Sequence, residues 1–251
     1  MMGSGNMAVV VPALRTLGNI VSGNETQTQA VVNAGVVSVV PGLLLHGRKS
    51  VRKETCWLLS NIAAGTAQQM QQLFATLDVL PLVLQQMSAG SEWEVRKEAA
   101  WVVSNLATSG QQQHVVQLAE CGAIRPLCEL LDASDAKIVL LALDALDAIL
   151  KSAQGGKGRQ NMLAQYTQLV DEAGGVDLLE KLQEHEDHKI YQRAVDIIEK
   201  YFGTDHEEES QNIVPNSTGS TFSFGMPTTG KASLDFNDAF FSSTQHTSFQ
   251  F

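Results

Sequence analysis

The feature that most constrains this chain is an internal repeat. RKETCWLLSN (Arg52 to Asn61) returns as RKEAAWVVSN (Arg96 to Asn105), 44 residues later, with six of ten positions identical and the four changes confined to small or apolar residues. Self-similarity at that period marks a helical repeat array, whose units bury their apolar faces by stacking on one another. On a helix, residues three, four and seven apart share a face. Glu54, Trp57 and Asn61 therefore fall on one stripe, as do Glu98, Trp101 and Asn105. The flanking stripes, Leu58 with Ile62 and Cys56 with Leu59 and Ala63, are apolar. Each helix is expected to bury its flanks and to present an acid, an indole and a carboxamide to solvent.

That stripe has a definite chemistry. A carboxamide is both donor and acceptor, so it can pair with the backbone of an extended peptide. An indole face attracts cations and packs against the stem of Lys or Arg, and a carboxylate one turn away supplies the counter-charge. The implied ligand is a basic, extended peptide. The alternative makes Trp57 and Trp101 core residues and the Asn residues helix-end caps. Recurrence of the trio in register with its Glu favours the binding stripe.

At this point the chain resembles the importin-α (karyopherin-α) family, which reads nuclear localisation signals. The resemblance rests on the paired RKExxWxxSN copies, on ALRTLGNIVSG (Ala13 to Gly23), CGAIRPLCELL (Cys121 to Leu131) and IYQRAVDIIEKYFG (Ile190 to Gly203), and covers roughly residues 8 to 209. It implies an all-α fold, a right-handed armadillo superhelix (a solenoid of three-helix repeats) followed by a disordered C-terminal tail. It also implies an inner groove with a major and a minor site for basic signals. Arg15 and Asn19 stand in the register of Trp57 and Asn61, 42 residues earlier. In the family such an Arg-Asn pair belongs to the minor-site half. The chain thus looks like a C-terminal half that keeps the minor site, with Arg15, Asn19, Glu54, Trp57, Asn61, Glu98, Trp101 and Asn105 as peptide-binding residues.

Composition narrows the class. The net charge of −10 argues against nucleic acid, which requires a basic stripe, and suits basic protein partners. Cys56, Cys121 and Cys128 have no C-x-x-C spacing and read as buried, reduced thiols. No apolar run reaches the ~18 residues of a membrane span. The sequons at Asn24 and Asn216 are read as chance matches. GGKG (Gly155 to Gly158) lacks the flanks of a phosphate loop, and His185 with His188 reads as a solvated junction. No catalytic residue, cofactor or metal site is expected, and the chain is not expected to be an enzyme.

In chain order, residues 1–7 form a disordered start and 8–22 the last helix of an incomplete repeat. Armadillo repeats are expected at 23–65, 66–109 and 110–152, and a C-terminal armadillo-like repeat at 153–203. Residues 204–251 form an acidic (HEEE, His206 to Glu209), then Ser/Thr/Phe-containing disordered tail. In the last two repeats, Ile138, Leu141 and Ala145, then Ile190, Arg193 and Ile197, are placed in register with Glu98, Trp101 and Asn105. On that reading the binding ladder ends at Asn105. The functional expectation is a nuclear import adaptor in cytoplasm and nucleus, binding proteins that carry Lys/Arg-rich signals. The resemblance implies export-receptor and nucleoporin contacts through the C-terminal repeats. It also implies importin-β as partner of a full-length member, through an N-terminal segment expected to be absent here. The alternative is a truncated or degenerate armadillo scaffold that binds proteins without supporting import.

Overall fold

Short helices broken by Gly, Thr and Asn junctions build the chain. In a computed structural model, residues 7–154 and 160–203 are described, with the backbone of 216–218 and 221–223. Among the described residues there are thirteen helices. α1 (Met7–Val21) precedes four triplets. These are α2 (Glu25–Asn33), α3 (Val36–Leu44) and α4 (Lys49–Ala63); α5 (Ala67–Ala75), α6 (Val79–Met87) and α7 (Trp93–Ser109); α8 (Gln112–Glu120), α9 (Ile124–Leu130) and α10 (Ala136–Ser152); and α11 (Gln160–Glu172), α12 (Gly175–Leu182) and α13 (His188–Tyr201).

The long third helices form a layer of their own. α1 packs on α4, α4 on α7, α7 on α10 and α10 on α13, while α3 packs on α6 and α9 on α12 in a second layer. Between the layers runs one continuous core, from Leu14 through Leu58, Ile62, Leu106, Leu127 and Ile149 to Ile190 and Ile197. The result is an all-α solenoid.

Local chemistry sets the junctions. Asn24 and Thr66 open α2 and α5 with capping boxes closed by Gln27 and Gln69. The Asn24 side chain is thereby used as a cap. Gln69 does more: its Oε1 accepts from the Thr66 N–H at 2.9 Å, while its Nε2 donates to the Glu25 carbonyl of the preceding repeat at 2.9 Å. The turn from first to second helix passes through a left-handed residue in every repeat: Gly35 (φ 82°), Asp78 (φ 65°), Gly122 (φ 91°) and Gly174 (φ 69°). Asp78 is the one without glycine's freedom there.

The C-terminal unit, residues 204–251, is a separate body. Within it Asn216–Thr218 pairs antiparallel with Thr221–Ser223, with Ser217 opposite Phe222. GGKG, the HEEE run and the other tail phenylalanines lie outside the described residues.

The left-handed turns generate a paired test. Gly35→Ala should destabilise by about 1–2 kcal/mol, and Asp78→Gly should stabilise by a few tenths to about 1 kcal/mol. Urea unfolding monitored by circular dichroism reads both signs.

Candidate functional site

Counting from the first residue of each third helix puts the site in one frame. The sixth positions of α1, α4, α7, α10 and α13 are Pro12, Glu54, Glu98, Leu141 and Arg193. The ninth are Arg15, Trp57, Trp101, Asp144 and Asp196, and the thirteenth are Asn19, Asn61, Asn105, Ala148 and Lys200. Contacts support the frame, because position nine of one helix meets position six of the next. Arg15 pairs with Glu54, Asp144 pairs with Arg193, and Trp57 and Glu98 line one cavity. This corrects the register expected for α10 and α13, which lies three residues away. Ile138, Leu141, Ala145, Ile190 and Ile197 are all core. Leu141 and Arg193 stand where Glu98 does, and Asp144 stands where Trp101 does. A three-residue slide keeps an apolar pattern nearly intact while turning the helix by about 60°, so apolar similarity alone selects the wrong face.

The sequence-predicted residues Arg15, Asn19, Glu54, Trp57 and Glu98 converge, with Lys53, on a cavity of about 260 Å³ between α1, α4 and α7. Glu54 is not presented to solvent, contrary to expectation. It is 6% exposed, and Arg15 covers it with Nη2 at 2.5 Å from Oε1 and Nε at 3.4 Å from Oε2. The buried charge is matched by a two-point guanidinium contact. Trp57 is half-buried for a reason the sequence reading missed. A Cβ at position 18 would lie 2.1 Å from its Cζ3 and 2.5 Å from its Cε3, so an edge of the indole occupies the space left free by Gly18 of α1. A glycine in a helix interior costs about 1 kcal/mol against alanine and calls for a packing reason; that was the available signal.

Trp101 is 44% exposed, although its chain neighbours Ala100 and Val102 are buried. It is the open indole of the pair. Both carboxamides are partly engaged: Asn61 Nδ2 donates to the Trp57 carbonyl at 3.0 Å, and Asn105 Nδ2 donates to the Ser60 carbonyl at 2.9 Å, across to α4. Each keeps its Oδ1 and one N–H to offer. The Asn105 bond also ties α7 to α4, so this carboxamide contributes to stacking.

Glu98 has no ion-pair partner within 4 Å among the described residues, unlike Glu54. Burial pushes its pKa up; Lys53 opposes the shift, and the like charge of Glu54 adds to it. Lys53 lines this cavity and a neighbouring one of about 220 Å³ that it shares with Arg15, Lys49, Glu54 and Glu94. The slot therefore holds a partly desolvated carboxylate beside an indole, with Lys53 and Lys97 near enough to oppose the shift without forming an ion pair.

Other candidate groups fall into structural roles. Cys56 and Cys128 are buried, and burial pushes the Cys128 thiol up to about 12. Cys121 is exposed, contrary to expectation, because it caps α8 beside the left-handed Gly122 and sits off the apolar face. His185 Nδ1 accepts from the Asp187 N–H at 2.9 Å, and His188 stacks on Tyr191. Among the described residues no three His, Cys, Asp or Glu groups gather as a metal site would require.

This geometry can be set beside known proteins. The Armadillo/beta-catenin-like repeat family matches residues 24–64, and the Atypical Arm repeat family matches residues 164–216. A designed armadillo repeat protein solved in complex with the peptide (KR)4 superimposes with a TM-score of 0.67 at 32% identity, over 80% of this chain and 78% of that one. Importin subunit alpha-4 of Arabidopsis thaliana is 37% identical over 229 residues, 90% of this chain. Importin subunit alpha-1a of Oryza sativa subsp. japonica is 38% identical over 226 residues, 87% of this chain. The fold and the stacked third helices define an armadillo-repeat protein. Within that class, the relatives it matches are importin-α subunits. It spans 42% of the length of each of these two relatives.

The two indoles should part company on truncation. Trp57→Ala empties the space above Gly18 and should destabilise by ~1–3 kcal/mol, whereas Trp101→Ala should change stability by less than ~1 kcal/mol. Thermal melts of the two single variants measure the difference.

Proposed function

We propose that this chain binds extended Lys/Arg-rich peptides along the row of Arg15, Asn19, Trp57, Asn61, Trp101 and Asn105, as the signal-reading half of a nuclear import adaptor. The cargo class is proteins carrying basic nuclear localisation signals, and the working compartments are cytoplasm and nucleus. The observation that carries the reading is the slot between α4 and α7, where half-buried Glu98 faces Trp57 without an ion pair of its own. A lysine or arginine entering it would gain the carboxylate and the indole face together, while Asn61 and Asn105 engage the backbone on either side. The (KR)4 ligand of the designed armadillo protein has matching chemistry. Export-receptor and nucleoporin contacts through the C-terminal repeats remain part of the proposal.

Titration of a short Lys-Arg peptide against its alanine-substituted control tests this directly. Equal affinities would remove the reading. Trp101→Ala should weaken the basic peptide by roughly five- to tenfold while leaving the fold intact.

Glu98 gives the binding a pH signature. Its folded pKa is raised, so the associated stability is present while it is protonated and is lost as pH rises through that folded value. A bound cation favours the ionised form. Affinity for the basic peptide should therefore fall as pH drops through the upper carboxylate range. Glu98→Gln should flatten that dependence, weaken binding roughly tenfold at pH 7 and raise the melting temperature slightly.

A further inference from the structure

The row of third helices carries the same kind of ion pair at both ends, with its charges reversed. At one end the cation is at position nine and the acid at position six of the next helix: Arg15 of α1 on Glu54 of α4. At the other end the acid is at position nine and the cation at position six: Asp144 of α10 and Arg193 of α13. Arg193 donates from Nε to Asp144 Oδ1 at 2.8 Å and from Nη2 to the same oxygen, and its Nη1 lies 4.0 Å from Asp147 Oδ2. Asp147 is held independently by Lys200 at 3.3 Å and by the Tyr201 hydroxyl at 2.7 Å. Asp144 has no second ion-pair partner among the described residues.

The pair lies where a ligand could reach it. Both side chains are 41% exposed. Two cavities adjoin it, one of about 540 Å³ reaching back to Ala107 and Thr108 at the end of α7, and one of about 440 Å³ reaching to Leu140, His188 and Gln192. Asp144 and Arg193 line both, so the pair is the wall between them.

We infer that Arg193 is a built-in occupant of a third cation slot, whose acid is Asp144. It sets how far along the groove a basic peptide can be read. In the α4–α7 slot the acid at position six waits for a cation from outside, whereas at α10 the acid at position nine is already filled from within the chain. Arg193 is thus a specificity-determining residue for peptide length, and removing it opens Asp144 to a Lys or Arg of the ligand. This inference rests on the basic-peptide reading above.

The test compares (Lys-Arg)₂ with (Lys-Arg)₄ by calorimetric titration at about 0.15 M salt, where exposed charges beyond ~8 Å are screened. In Arg193→Gln the affinity advantage of the long peptide over the short one should grow about fivefold, the value of one further charge contact, with the short peptide unchanged. Lys181→Gln, which also removes one positive charge but frees only Asp132, should leave the ratio at its wild-type value. Arg193→Gln with Asp144→Asn should return it there. If the ratio stays put in Arg193→Gln, or grows equally in Lys181→Gln, the inference is wrong. Failure of the wild-type chain to bind either peptide would instead remove the basic-peptide reading itself.

Discussion

Everything in this molecule depends on third helices lying edge to edge. No repeat here has enough apolar surface to close a core alone, and the buried side chains of α4, α7 and α10 are shared between neighbours. That packing fixes which residues are left over. With two flanks committed to the core, the residues at positions six, nine and thirteen face along the row, except Leu141 of α10, which joins the core. The variation is orderly: a reversed pair of ion pairs at the ends, two indoles between them, and carboxamides at Asn19, Asn61 and Asn105.

The fold was largely legible in the sequence because the repeat is. A 44-residue period, with Trp57 and Trp101 in register, fixes the helix type and the stacking mode. The site was legible only in part. Arg15, Asn19, Glu54, Trp57 and Glu98 do converge, but the burial of Glu54 depends on a guanidinium 39 residues away, which no local pattern reports. Gly18 carries no side chain to attract notice, yet it leaves the space that an edge of Trp57 fills. The register of α10 was lost because the motif residues are absent there, which leaves only apolar periodicity to align. Leu141 looked like a replacement for Trp101 when the residue in that place is Asp144.

Site and stability are in tension at specific atoms. Glu98 sits desolvated without a counter-ion, and Trp101 leaves an indole open to water. Both would be resolved more favourably for the free protein by a glutamine and a smaller polar residue. Glu54 shows the resolved form, a similar carboxylate one repeat earlier with its cation supplied from within. The contrast between the two glutamates distinguishes a residue that holds helices together from one kept available.

The Gln69 side chain has a consequence for how far a local change travels along the row. One carboxamide closes the cap of its own helix, α5, and at the same time grips the Glu25 carbonyl of the repeat before it. The cap is closed locally through Oε1, and the Nε2 bond is a second use of the same side chain. One residue thus couples the start of α5 to the start of α2, and a change at position 69 is felt in two repeats at once.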